Sequence, residues 1–411
     1  MPVPKYLRQI DPAMLVLLAG VSAALHVGKL APALPALHEA LGITLVQAGF
    51  LLSLVQFAGM LLGLAVGLAA DGIGLKRSML MGLSIISLAS LLGGFAQDVR
   101  SLLILRAMEG FGFLLASMPA PSLIRQLVVP ARMSTMLGVW GAYMPLGTAL
   151  ALLGGPLVIA WLGWRTWWWS LGALSCLMAV WLWQVLPTDA DRKAQVQHAS
   201  DHAASSWPGR LRQTLTNRGP WLVALSFAMY SGQWIALIGF LPSIYALAGL
   251  SGVATALLTA LAALVNIGGN IMSGRLLGAG VHPHRLLYTG FVVMGLSSVV
   301  AFAVLPFAGG ASLPAELRYG AVLLFSMVGG LIPGTLFSLA VKLAPGERTV
   351  STTVGWTQQW AATGQFAGPP LVAWVASAAG GWQLTWIVTG SCSLLGLLLA
   401  WQIGCLHGGR T

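Results

Sequence analysis

The sequence predicts an all-α integral membrane protein with 12 transmembrane helices arranged as two six-helix pseudo-symmetric bundles. Three observations predict it: composition, charge placement and an internal repeat. Of 411 residues, 57% are hydrophobic and 8% charged, against roughly 25% charged residues in a soluble domain. So few charges cannot cover a water-exposed surface. The apolar residues also run in blocks of about 20, the length a helix needs to cross a roughly 30 Å hydrocarbon core. The 51 glycines permit close helix contacts of the kind that hold membrane bundles together.

The spacing predicts spans at 13–35, 45–69, 78–97, 100–124, 133–159 and 166–187, then 219–245, 252–278, 285–307, 316–342, 350–378 and 382–405. The formal charge of +11 could suggest nucleic acid, but 16 of the 21 Lys and Arg fall in the termini and in loops on one side. They include Lys5, Arg8, Lys76, Arg77, Arg125, Arg132, Arg192, Arg218, Arg275, Arg285, Lys342, Arg348 and Arg410. Arg100, Arg165 and Arg318 fall on the other side, and Lys29 and Arg106 lie within spans. This asymmetry places both termini in the cytoplasm of an inner-membrane protein and makes the basic charge topological.

A polar segment at 188–218, containing Asp189, Arg192, Lys193, His198, Asp201 and His202, divides an N-terminal bundle at 1–187 from a C-terminal bundle at 219–411. A solvated linker explains the two histidines better than a metal site. Leu34-Pro35 followed by Gly42 recurs as Leu241-Pro242 followed by Gly249, an offset of 207. Gly138 and Gly147 match Gly355 and Gly364 at 217, and Gly163-Trp164 returns as Gly381-Trp382. Near-constant offsets through both halves mean a six-plus-six duplication. They also make 13–35 the counterpart of an internal span, so it is a retained helix and not a cleaved signal peptide.

Cys176, Cys392 and Cys405 are odd in number, lack metal-ligand spacing and read as small buried apolar residues. Trp161, Trp164, Trp167, Trp168 and Trp169 read as an interfacial aromatic belt.

Two local patterns carry a family resemblance. The loop after the second span reads Gly67-Leu-Ala-Ala-Asp71-Gly72-Ile-Gly74-Leu75-Lys76-Arg77. Its Asp suits a helix start, its glycines suit tight turns, and Lys76 and Arg77 can reach acidic headgroups or the other half. The fourth span carries Arg106-Ala-Met-Glu109-Gly110-Phe-Gly112, in which Arg106 and Glu109 share a helix face and can pair. Together with the repeat, these resemble the major facilitator superfamily along the whole chain. Gly72 and Leu75 depart from the usual basic residues of that loop. The resemblance implies a conformational role for the loop and, for Arg106 with Glu109, either coupling and gating or a purely structural pair. The antiporter-type pattern on the fifth span is partial: Gly147, Gly154, Gly155 and Pro156 occur, but Ala151 breaks the spacing. A narrower likeness to the cyanate-permease branch lies in Pro121 to Arg125, Met136 to Trp140 and Ile235 to Tyr245. It implies carriage of a small anion or compact polar molecule.

The superfamily's substrate cavity lies between the halves, so costly polar residues on the first and seventh spans are the binding candidates. His26 and Lys29 share a face, with Lys29 about 24 Å along its span. There it can snorkel to the interface, bind or gate an anion, or form a structural pair. His26 corresponds to Gln233, beside Trp234 and one turn beyond Tyr230. Amides on other spans (Gln56, Asn266, Asn270, Gln358, Gln359 and Gln365) suit bonds between helices. Within the spans, two cations face a single acid, Glu109, which favours an anionic or neutral solute.

No phosphate-binding loop, serine elbow or HExxH helix occurs, which argues against an enzyme, and no cofactor is implied. The sequence therefore predicts a monomeric, proton-coupled transporter of a small solute. The competing expectations are an exporter of drugs or larger metabolites and, more remotely, a receptor or scaffold.

Overall fold

The computed structural model describes residues 11–129, 132, 136, 140–189, 207–303, 313–346 and 349–408, the side chains of 67–73, 351, 407 and 408 excepted. Lys5, Arg8, Gly138, Arg192, Lys193, His198, Asp201, His202, Arg348 and Arg410 lie outside these residues, as do the side chains of Gly67 and Asp71.

The described chain is helical, and ten of its helices are long and apolar enough to cross a membrane. One of them, Tyr143–Val185, has 43 residues and breaks at Gly163, where φ is 81° and ψ 162°. It supplies the fifth and sixth spans. The eleventh, Val350–Ala378, has 29 residues but is less apolar because it carries Thr352, Thr353, Thr357, Gln358, Gln359 and Gln365. The total is twelve, as expected. The eighth and eleventh spans fall where the sequence put them, at Gly252–Gly278 and Val350–Ala378. In the polar segment, by contrast, Trp207–Thr216 forms a short helix ahead of the seventh span, Arg218–Leu247.

The first and seventh spans are the innermost, with 83% and 89% of their most apolar stretch buried, against 33% in the twelfth. Several spans are interrupted. The first runs as Pro12–Gly28, a 3-10 turn at Ala31–Ala33, then Leu34–Leu41. Pro32 and Pro35 have no amide to donate, so the ladder cannot continue through them. The second pauses in a 3-10 turn at Leu54–Gln56 before Phe57–Ile73. Such breaks leave backbone carbonyls without helical partners, and in a bilayer each needs another donor.

Candidate functional site

The break in the first span organises the site. Gly28 ends the helix and the 3-10 turn at Ala31–Ala33 turns the chain, so the carbonyls of His26 and Val27 have no helical partner. Arg106 of the fourth span supplies the donors: Nη1 bonds the His26 carbonyl at 2.5 Å and Nη2 the Val27 carbonyl at 3.2 Å. Its Nε donates to the Leu51 carbonyl at 3.0 Å, in the turn that precedes the second span's own interruption. One guanidinium thus satisfies two helix ends, where the dipoles favour positive charge. Arg106 also holds Glu109 Oε2 at 2.8 Å through Nη1.

Lys29 stands at the same break. Its ammonium donates to Glu109 Oε1 and, at 2.9 Å, to Ser90 Oγ, and lies 4.7 Å from the Trp168 ring centroid. Lys29 is 0% exposed. It therefore does not snorkel; the ion pair inside the N-terminal bundle replaces the interface as its partner. His26 Nε2 bonds Ser175 Oγ at 2.8 Å, and Ser175 Oγ in turn bonds Ser22 at 3.2 Å. His26 Nδ1 is 3.8 Å from Glu109 Oε1. Five spans close around one carboxylate and two cations, all within one half.

The C-terminal half repeats this frame with neutral groups. Ser393 Oγ donates to Gln233 Oε1 at 3.2 Å. This reproduces the His26–Ser175 contact between corresponding spans, at the offset of 207 for the first partner and 218 for the second. At 217 residues beyond Glu109 stands Ser326, and Ala236 occupies the position of Lys29. Ser326 Oγ accepts from Trp234 Nε1 at 3.0 Å, and its carbonyl accepts from Asn266 Nδ2 at 2.8 Å. Asn266 Nδ2 also bonds the Tyr230 hydroxyl at 3.0 Å. Tyr230, Gln233 and Trp234 are thus tied to the eighth, twelfth and tenth spans respectively, while His26, Lys29, Arg106 and Glu109 are gathered in the other half. No hydrogen bond among the described residues joins the two sets.

The loop after the second span departs from expectation. Helix continues through Ile73, so Asp71 belongs to its last turn and does not precede a helix start. The third span, Leu75–Gly93, is capped from elsewhere: Asp189 Oδ1 accepts from Lys76 N–H at 3.0 Å and Oδ2 from Arg77 N–H at 3.2 Å. Gly74 makes room, with φ at 99° and its missing Cβ only 2.5 Å from Asp189 Oδ2. Lys76 returns the favour by donating to the Trp183 and Leu186 carbonyls at the end of the sixth span, at 2.8 and 2.5 Å. Lys76 is therefore buried in its own half, whereas Arg77 is exposed. Asp189→Ala is expected to cost about 0.5–2 kcal/mol as the loss of a helix cap. Melting of the purified protein in detergent measures it, and an unchanged midpoint would remove the cap from the account.

Two other expectations need correction. Trp161 is 86% exposed and fits a belt, but Trp164, Trp167 and Trp168 are buried, and Trp167 Nε1 donates to the Lys29 carbonyl at 3.0 Å. Two cysteines, Cys176 and Cys405, are exposed on outer helix faces and Cys392 is partly so, so they are not core residues. Spacing alone does not say whether a membrane helix face meets lipid or protein. Ser22, Ser90 and Ser175 carry no signal in the sequence, because small hydroxyls in apolar runs have no periodicity.

The chain matches the Major Facilitator Superfamily over residues 16–361. It belongs to the major facilitator superfamily. Superfamily structures share its fold: a bacterial homologue of the human lysosomal transporter Spinster, inward-facing and occupied, superposes with a TM-score of 0.76 at 15% identity over 95% of both chains. The inward-facing, unoccupied form gives 0.71 at 16% identity, covering 97% and 96% of the two chains. Among curated relatives, the puromycin resistance protein pur8 of Streptomyces alboniger is 35% identical over 161 residues, 38% of this chain and 31% of that protein. A protein of Cupriavidus pinatubonensis described as a probable 4-methylmuconolactone transporter is 28% identical over 153 residues, 36% of each. The chain thus aligns with about a third of the length of each. As a superfamily member it is a multi-pass membrane transporter of the facilitator fold.

Proposed function

We propose that this transporter moves a small anionic or neutral polar solute by alternating access, importing it with a proton gradient. The observation that carries the reading is the buried cluster in which Lys29 and Arg106 share Glu109. Its formal charge is one positive, and it abuts the break in an innermost span. Intramembrane charges are functional by default. Arg106 keeps Glu109 neutralised when Lys29 exchanges that carboxylate for an anionic group of the solute. Proton uptake by Glu109 releases Lys29 for the same exchange, which would couple the two. Tyr230, Gln233 and Trp234 supply hydrogen bonds from the facing half. The segment from Gly67 to Arg77, where the second span passes into the third, holds the ends of the spans during the swing.

The orientation we assign has both termini in the cytoplasm of a cell inner membrane, two bundles at 1–187 and 219–411, and a monomer as the working unit. The partial likeness to a 4-methylmuconolactone transporter supports a small solute. A second reading, export of a drug-like compound, is supported by the likeness to a puromycin resistance protein.

Uptake into proteoliposomes from a panel of small anions, neutral solutes and puromycin, with and without a pH gradient, tests both. Anion uptake that rises with an inward proton gradient is expected, and Lys29→Ala should lower it at least about tenfold, the effect of roughly 1.4 kcal/mol. Transport of cations alone, or undiminished transport in Lys29→Ala, would remove the cluster from the mechanism.

A further inference from the structure

The second and eleventh spans lie against each other across the two halves. A Cβ on Gly49 would stand 2.9 Å from the Pro370 Cα, and one on Gly59 2.9 Å from the Ala362 Cβ. The rings of Phe57 and Phe366 pack with centroids 5.5 Å apart. A Cβ on Gly355 would meet Leu64 Cδ1 at 3.4 Å. From Gly49 to Leu64 the contact runs along about 22 Å of helix. Most of it is apolar.

One point is not. Gln359 Nε2 donates to the Met60 carbonyl at 2.8 Å, and Gln359 Oε1 accepts from the Leu64 N–H at 3.1 Å. Met60 and Leu64 are four residues apart, so these two groups are each other's partners in an uninterrupted helix. The side-chain amide of one half has inserted into the backbone ladder of the other. Gly63 permits it, since a Cβ there would lie 3.3 Å from the Gln359 Cβ. Among the described residues, the hydrogen bonds across this interface all come from Gln359.

Depth gives the insertion its meaning. Gln359 lies nine residues from the start of Val350–Ala378, and Leu64 nine residues from the end of Phe57–Ile73. Both sit about 14 Å from one end of their spans and about 28 Å from the other, inside a roughly 30 Å core but on one side of its middle. When two rigid bodies rock against each other, displacement grows with distance from the axis. Hydrogen bonds weaken steeply with small changes of length and angle. A two-pronged amide bond between the bodies therefore survives the motion only close to the axis, while contacts such as Gly49 with Pro370 must part.

We propose that Gln359 is the pivot of alternating access: a positioning residue whose amide keeps the halves in register while their ends swing. The inference rests on the alternating-access reading above, but its test needs no solute, so the two can fail separately. Full-length protein in lipid nanodiscs, with Cys176, Cys392 and Cys405 replaced by Ala, would carry spin labels at Glu39→Cys with Leu247→Cys at one end. A second sample would carry them at Gln126→Cys with Arg275→Cys at the other. With Gln359 in place, closure at one end should accompany opening at the other as pH is changed. Gln359→Leu should broaden the distances at both ends and abolish that reciprocity. Gln359→Glu should restore it at acid pH, where a protonated carboxyl both donates to Met60 and accepts from Leu64, and lose it at alkaline pH. That rescue separates a pivot from a folding defect. Unchanged distances in Gln359→Leu would overturn the proposal. So would a sharp opening at one end alone, which would make the contact a latch.

Discussion

Glu109→Ala will be among the most damaging single substitutions in this chain. It strips the shared carboxylate from Lys29 and Arg106 and leaves two buried cations with no anion between them. Breaking a buried ion pair from one side costs about 3–5 kcal/mol, a large share of the stability of an ordinary domain. Loss of monodisperse protein, or a steep fall in its melting temperature in detergent, is the expected result. The companion Lys29→Met with Glu109→Gln removes one charge of each sign and should regain most of that loss, because Arg106 keeps its bonds to the His26, Val27 and Leu51 carbonyls. If Glu109→Ala melted like the parent protein, the cluster could not be buried and shared as described.

The second large effect is steric. Between the seventh and eleventh spans, a Cβ on Gly364 would fall 2.2 Å from the Ala228 carbonyl oxygen. One on Gly368 would fall 2.2 Å from the Gly232 carbonyl oxygen, and one on Gly232 2.6 Å from that of Gly364. All three obstacles are backbone and cannot turn aside, so the helices must separate. Overpacking of a well-packed core costs about 1–3 kcal/mol even where side chains can yield, so Gly364→Val and Gly368→Val should meet or exceed the upper figure. Gly268→Ala is the control, because nothing lies within 4 Å of its added carbon. Melting of the three variants side by side decides the matter, and equal midpoints would show that the spans are not in contact.

How much of this was legible depended on the kind of signal. Span lengths were, because a bilayer imposes a hydrophobic run that composition alone displays: Gly252–Gly278 appears where the apolar block does. The Arg106–Glu109 pair was legible too, since three residues on one helix fix the geometry. Lys29 was not. Its candidate partners lay 61 and 80 residues away, at Ser90 and Glu109, and nothing local distinguishes an ammonium that reaches lipid headgroups from one that turns inward. Asp189 looked like part of a solvated linker, yet it closes the amides of Lys76 and Arg77 more than a hundred residues earlier in the chain. The Trp164 to Trp168 segment was misread for the same reason: hydropathy reports that a ring is near the membrane, not which side of its helix the bundle occupies.

The sequence by itself determined that this protein spans a membrane twelve times, that its two halves are copies, and that the N-terminal copy alone keeps intramembrane charge. These follow from one-dimensional quantities: run length, offset and residue type. Only the tertiary structure decided what the polar residues do. It showed His26–Ser175 and Gln233–Ser393 as one contact built twice, Glu109 as the anion of two cations, and Gln359 as an amide lodged in the opposite helix. A buried polar group must find a partner, but which partner depends on helix rotation and close approach. Those are set by side chains distant in the chain that meet only when the bundle is assembled.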